Sequence, residues 1–176
     1  MEKGEGMRAK QFNLIMALAL AISLFGGLTT TIRASDTEIS LLRGLKEVFL
    51  EVEDLNFKLE REGLTTDHLR TDAVNKLKMA GIKVQSEKES MTTPGSPHLH
   101  IMVKVLGTAA GNYAAHIRVE LREAVSLVRH PGMEVFTSTW TTGKFGVTHS
   151  LSDVRQQEQE LVDKFVNEYL AANPKQ

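Results

Sequence analysis

Two runs of strict alternation, separated by a short turn of small residues, constrain this chain more than any other feature. In 98–105, Leu99, Ile101, Val103 and Val105 point one way; His98, His100, Met102 and Lys104 point the other. The turn Gly-Thr-Ala-Ala-Gly-Asn fills 107–112. Beyond it Tyr113, Ala115, Ile117, Val119 and Leu121 alternate with Ala114, His116, Arg118, Glu120 and Arg122. Successive strand side chains face opposite ways, so this pattern predicts an antiparallel hairpin with one apolar and one wet face. The second run continues to 128, long enough to bend or bulge, and Glu123 breaks its apolar phase.

The remaining elements follow from the same periodicities. Val48, Leu50 and Val52 alternate with Glu47, Glu51 and Glu53, which predicts a half-buried strand over 46–56. Thr65, Thr66 and Asp67 supply capping hydroxyls and a first-turn acid, and Leu69, Ala73, Leu77 and Ala80 recur at helical spacing. Gly81 stands where a left-handed cap ends such a helix, and 82–85 reads as a short strand. Two prolines and a glycine within 94–97 make 86–97 a loop. His130-Pro131-Gly132 reads as a turn, and 135–144, rich in threonine and aromatics, as a strand. Ser150 and Asp153 have capping-box spacing ahead of a helix striped by Val154, Leu161, Phe165 and Tyr169, which Pro174 stops. Val162, Val166 and Leu170 widen that stripe, and part of the width is available to a dimer face. The order β-α-β-β-β-β-α predicts an α+β fold: a two-layer sandwich, mainly an antiparallel sheet with two helices on one face.

The amino terminus carries an address. Lys3, Arg8 and Lys10 precede an apolar run over 14–28, followed by Thr29, Thr30, Thr31 and then Ile32-Arg33-Ala34. This is the form of a secretory signal peptide over 1–34, cut after Ala34, leaving 35–176 as a single α+β domain. An apolar run of this length is short for the roughly 20 residues of a spanning helix, so no stable membrane span is expected after cleavage. The chain has no cysteine, which excludes disulfides, thiolate metal sites and a lipid-modified cysteine anchor. Loss of 1–34 leaves 17 basic and 20 acidic residues, a net charge of −3. That balance, with basic residues scattered and few aromatics among them, lacks the footprint of a nucleic-acid binder. The expected compartment is the periplasm or the exterior.

Three constellations are candidates for function. His98 and His100 share a strand face, and His116 falls on the same face, diagonal to His100 if the register follows the turn. Three imidazoles there could hold zinc or copper. Arg118 and Glu120 stand beside them, which also fits a solvated hairpin face. Thr137, Thr139 and Thr141 form a row on one side of the last strand, a possible edge for strand addition by a partner, with Trp140 and Phe136 on the other side. His149 near Asp153, and His68 beside Asp67, are possible acid–base pairs, though helix starts collect such residues for capping. No nucleophile elbow, phosphate loop, dinucleotide fingerprint or His-Glu-x-x-His occurs. The sequence therefore predicts no enzyme and no cofactor.

The exported form, the size and the element order make the chain similar to small accessory domains of the bacterial envelope. These include the lipopolysaccharide-assembly lipoprotein and the amino-terminal domain of the Tol-system translocation protein. The ending Leu161-Val162-Asp163-Lys164-Phe165-Val166-Asn167-Glu168-Tyr169-Leu170 resembles the last helix of uncharacterised exported bacterial proteins. The resemblance implies a non-enzymatic binding or assembly-accessory domain, acting through contact with an envelope protein, with homo-oligomers possible. The alternative is a metal- or small-ligand-binding protein using His98, His100 and His116.

Overall fold

The computed structural model describes residues 39–174. The expected signal segment, 1–34, lies outside the described residues. A short helical turn at 39–41 leads into β1 (Glu47–Val52), α1 (Phe57–Arg61), α2 (Thr66–Met79), β2 (Lys83–Gln85) and α3 (Glu87–Ser90). Then come β3 (His98–Gly107), β4 (Tyr113–Leu127), β5 (His130–Thr148) and α4 (Leu151–Ala172).

The five strands form one sheet in the order β2-β1-β3-β4-β5. It is mixed, where the sequence predicted a mainly antiparallel one: β1 is parallel to both β2 and β3, and only β3, β4 and β5 form an antiparallel meander. The cause is connection length. The helical links from β1 to β2 and from β2 to β3 return the chain to the same end of the sheet, and such crossovers force parallel pairing. The short helix α1 follows the segment expected as a strand, and α3 falls in the segment expected as a loop. Asn56 caps α1 by accepting from the Leu59 N–H, and Ser86 and Glu89 form a reciprocal capping box on α3. The Ser86 backbone N–H and hydroxyl hold the Glu89 carboxyl at about 2.

The expected caps of the long helices are in place. Thr65 Oγ1 accepts from the His68 N–H, and Ser150 Oγ from the Asp153 N–H. Gly81 takes φ 84°, and Ile82 N–H donates back to the Leu77 carbonyl. The Asp153 carboxylate does not close a box; it accepts from the Thr148 hydroxyl at 2.7 Å.

One core cluster draws on the sheet and on both long helices. Leu50 pairs with Leu99, Leu99 with Leu121, and Leu121 with Trp140, so these four share a face and are all buried. Leu69, Ala73 and Leu77 of α2 and Val154, Leu161, Val162 and Phe165 of α4 belong to the same cluster. Trp140 meets Phe165 edge-to-face at 5.1 Å, and its indole N–H donates to Glu168 at 2.6 Å. The Arg155 guanidinium grips Asp72 at 2.7 and 3.0 Å across the two helices, and Lys76 pairs with Asp163.

One residue breaks the apolar order. Glu158 lies in the α4 stripe between Val154 and Leu161, fully buried, and among the described residues neither carboxylate oxygen has a hydrogen-bond partner. Burial, with Asp72 nearby, pushes its carboxyl up to about 8. The folded state therefore binds a proton that the unfolded chain releases near the usual carboxylate value. The Glu158 contribution to stability is full at low pH and is lost as pH rises from about 4.5 to 8. Glu158→Gln should leave stability at pH 4 unchanged and raise it by about 2–4 kcal/mol at pH 9, read from urea denaturation at both values.

Candidate functional site

The face of the sheet opposite the core cluster carries the candidate residues in ordered rows. The first row runs Phe49, His98, Arg122, Ser138 across β1, β3, β4 and β5. His98 is flanked edge-to-face by Phe49 at 4.9 Å and Phe136 at 5.1 Å. Burial there lowers its imidazole pKa, against the pull of Glu51. Gly95 and Ser96 before it both take positive φ, 77° and 43°, in a tight bend ahead of Pro97. Carbonyl groups of Gly95 and Pro97 accept from Ala124 and Phe49, so the bend ties β4 to β1 at this end.

The middle of the face is a charged cluster. His100 is buried, with Nε2 3.1 Å from Glu53 Oε1 and Nδ1 4.0 Å from Glu120 Oε2. Glu120, also buried, is held by two arginines: Arg118 Nε at 2.9 Å and Arg122 Nε and Nη2 both at 2.9 Å. Lys104 pairs with Glu53, and this hydrogen bond is the main reason the Glu53 carboxyl lies below its usual value.

The last two rows change character. Lys104, His116 and Phe145 lie side by side, then Leu106, Ala114 and Val147. Phe145 is 82% exposed, Leu106 73% and Val147 67%. The His116 ring meets Phe145 at 6.2 Å. Three strands thus place an apolar patch in water beside the charged cluster.

The three histidines share this face, as the alternation predicts, but they do not converge. His116 pairs across from Lys104, two residues beyond Met102 and Arg118, so it is not diagonal to His100. Each ring has a different neighbourhood: aromatic for His98, carboxylate for His100, Phe145 for His116. Among the described residues no group of three His, Cys, Asp or Glu side chains is placed to hold a metal.

The threonine row does not lie on one face. Leu121 pairs with Trp140 but Arg122 pairs with Ser138, which leaves Thr139 as the extra residue of a β-bulge. The phase flips there. Thr141 joins Glu120 on the charged face, whereas Thr137 pairs with Glu123 on the other. Thr139 donates to Glu123 Oε2 at 2.6 Å. The same flip puts Phe136 on the face of His98 and Trp140 in the core. The turn also differs: the chain reverses at 128–129, and His130 already belongs to β5. β5 is the outermost strand on its side.

The proposed acid–base pairs do not form. His149 Nδ1 lies 2.9 Å from Asn112 Oδ1, while Asp153 is engaged by Thr148. His68 contributes its backbone N–H to the α2 cap. Sequence reasoning missed the Glu53–His100–Glu120 arrangement; the readable signal was an acid opposite a histidine on facing strands.

No family model matches this chain, and no curated protein matches it. Solved structures that are similar in part include the following two. One is a dodecamer of a PelC point variant from Paraburkholderia phytofirmans: 15% identity, 72% of this chain and 89% of that chain covered, TM-score 0.40. The other is a minor lipoprotein from Acinetobacter baumannii: 11% identity, 73% and 93% covered, TM-score 0.26. Likeness at this level fixes no activity for the chain. Among the described residues no helix is long and apolar enough to cross a membrane.

The buried cluster makes an asymmetric prediction. Glu120→Ala removes the carboxylate that Arg118 and Arg122 share and should cost about 1.5–3 kcal/mol, because hydrogen bonds to a charged group are lost. Lys104→Ala removes a charge that is more than half exposed and should cost under about 1 kcal/mol. Chemical denaturation of both variants measures the difference.

Proposed function

We propose that the chain is an exported envelope protein that works without catalysis, as a binding or assembly-accessory domain, through contact with another protein. The contact surface in this reading is the β5 side of the charged face. The observation that carries it is the exposed patch of Leu106, Phe145 and Val147, which occupies two adjacent rows across β3, β4 and β5. Isolated exposed apolar side chains are ordinary, but contiguous ones rimmed by charge mark protein contacts. The signal-like segment at 1–34 supports export to the periplasm or beyond. The metal reading has no comparable support, since the three imidazoles stand apart.

The test is a photoreactive phenylalanine analogue at 145 in cells that express the full chain. The expected result is a discrete crosslinked product in intact envelopes, absent when the analogue replaces exposed His68 on α2. Phe145→Asp should abolish co-purification of that product's partner and shift stability by no more than about 0.5 kcal/mol. Equal or absent crosslinking at both positions would refute the reading.

A further inference from the structure

We infer that the β5 edge from Trp140 to Thr148 receives an extended strand of a partner protein, one that carries a carboxylate beside Gly143 and apolar side chains beside Phe145 and Val147. This rests on the contact reading above and names the partner's chemistry.

The edge itself specifies an extended occupant. β5 pairs with β4 on one side and is the last strand of the sheet, so among the described residues no strand lies beside one row of its backbone donors and acceptors. From Trp140 to Thr148 the register to β4 is unbroken, which gives a straight edge. Before Trp140 the bulge at Thr139 and a second irregularity near the turn spoil it. Backbone pairing along such an edge supplies affinity, and alternate side chains supply selectivity.

The two sides of this edge are not alike. On the helix side, Lys144 pairs with Glu160 and Thr142 accepts from Lys164, so α4 already satisfies it. On the other side stand Thr141, Gly143, Phe145 and Val147, all exposed. A strand laid beside β5 covers Phe145 and Val147 best with apolar side chains.

Gly143 sets the third position. It lies opposite Arg118, and a Cβ built on it would come within 2.8 Å of the Ile117 carbonyl oxygen, so no other residue fits without a shift of backbone. The position is bare, and the Arg118 side chain behind it is 42% exposed; it shares the single carboxylate of Glu120 with Arg122, which leaves this group of three with a net positive charge. An added strand would lie two strand spacings, roughly 10 Å, from β4, a gap that a glutamate and an arginine span together over a glycine. A lysine there would meet like charge. A second copy of this edge lacks the needed group, since 140–148 contains no acidic residue and antiparallel pairing about its centre sets Lys144 against Lys144. Antiparallel addition continues the β3-β4-β5 meander. Read from its amino end, the partner strand then carries apolar, any, apolar, any, acidic.

The probe is acetyl-Ser-Ile-Thr-Val-Thr-Glu-Ser-amide, with a twin in which lysine replaces the glutamate. Both are titrated into the protein purified from envelopes of an expressing host, by fluorescence anisotropy and amide NMR shifts. The glutamate peptide should bind roughly tenfold tighter than its twin, with shifts concentrated at 140–148. Phe145→Ser should weaken it roughly tenfold, and Arg118→Gln should bring the two peptides within about twofold of each other. Thermal unfolding of both variants verifies that they fold. No binding at millimolar peptide, equal binding of the twins, or shifts outside β5 and its neighbours would overturn the inference. If the crosslink at 145 persists while the twins bind equally, the acidic-strand assignment fails and the contact surface stands; loss of both removes both.

Discussion

β4 has to satisfy two solvents at once, and most of the molecule follows from how it does so. Ala115, Ile117, Val119 and Leu121 are buried in the core shared with α2 and α4. Between them His116, Arg118, Glu120 and Arg122 face the other way. A strand cannot move one set without moving the other, because a slip of one residue exchanges the faces. The register with its neighbours is therefore held from both sides: by Leu99–Leu121–Trp140 beneath and, above, by His100 of β3, which contacts Glu120 of β4 and Glu53 just after β1.

The Thr139 bulge releases this lock. It lets Trp140 drop into the core against Phe165 while Phe136, four residues earlier, closes on His98. Without the extra residue, Trp140 and Phe136 would share a face and one of them would lose its partner ring. The bulge also divides β5 into two lengths with different chemistry. The straight half beside α4 carries the exposed Phe145 and Val147, and the irregular half extends past β3 toward the turn.

The parts of this design that the sequence discloses are local ones. Alternation in 98–105 and 113–121 placed the hairpin and its two faces, and the residues at Thr65, Gly81 and Ser150 marked helix ends by their own hydrogen bonds. The parallel pairing of β1 was not legible, because alternation says which face a residue takes and nothing about which distant strand lies beside it. The bulge was hidden by composition: threonine suits either face, so Thr137, Thr139 and Thr141 read the same in both phases. Glu158 was legible in principle, since it stands at i+4 from Val154 and three before Leu161, inside the stripe. Its meaning needed the packing of α2, which brings Asp72 near and removes water.

A buried ion cluster flanked by aromatics at one end and an apolar patch at the other gives the face a fixed shape in which charge sits beside grease. The cluster holds the strands rigid; the patch and the bare notch at Gly143 are left for something else to complete. Hydrogen exchange read by mass spectrometry, on the protein in intact envelopes and again after purification, tests this most directly. The account requires peptides spanning 140–148 to exchange at least roughly tenfold more slowly in the envelope, with α2 unchanged. Equal exchange of 140–148 in both settings would mean that nothing covers this edge, and would contradict the account.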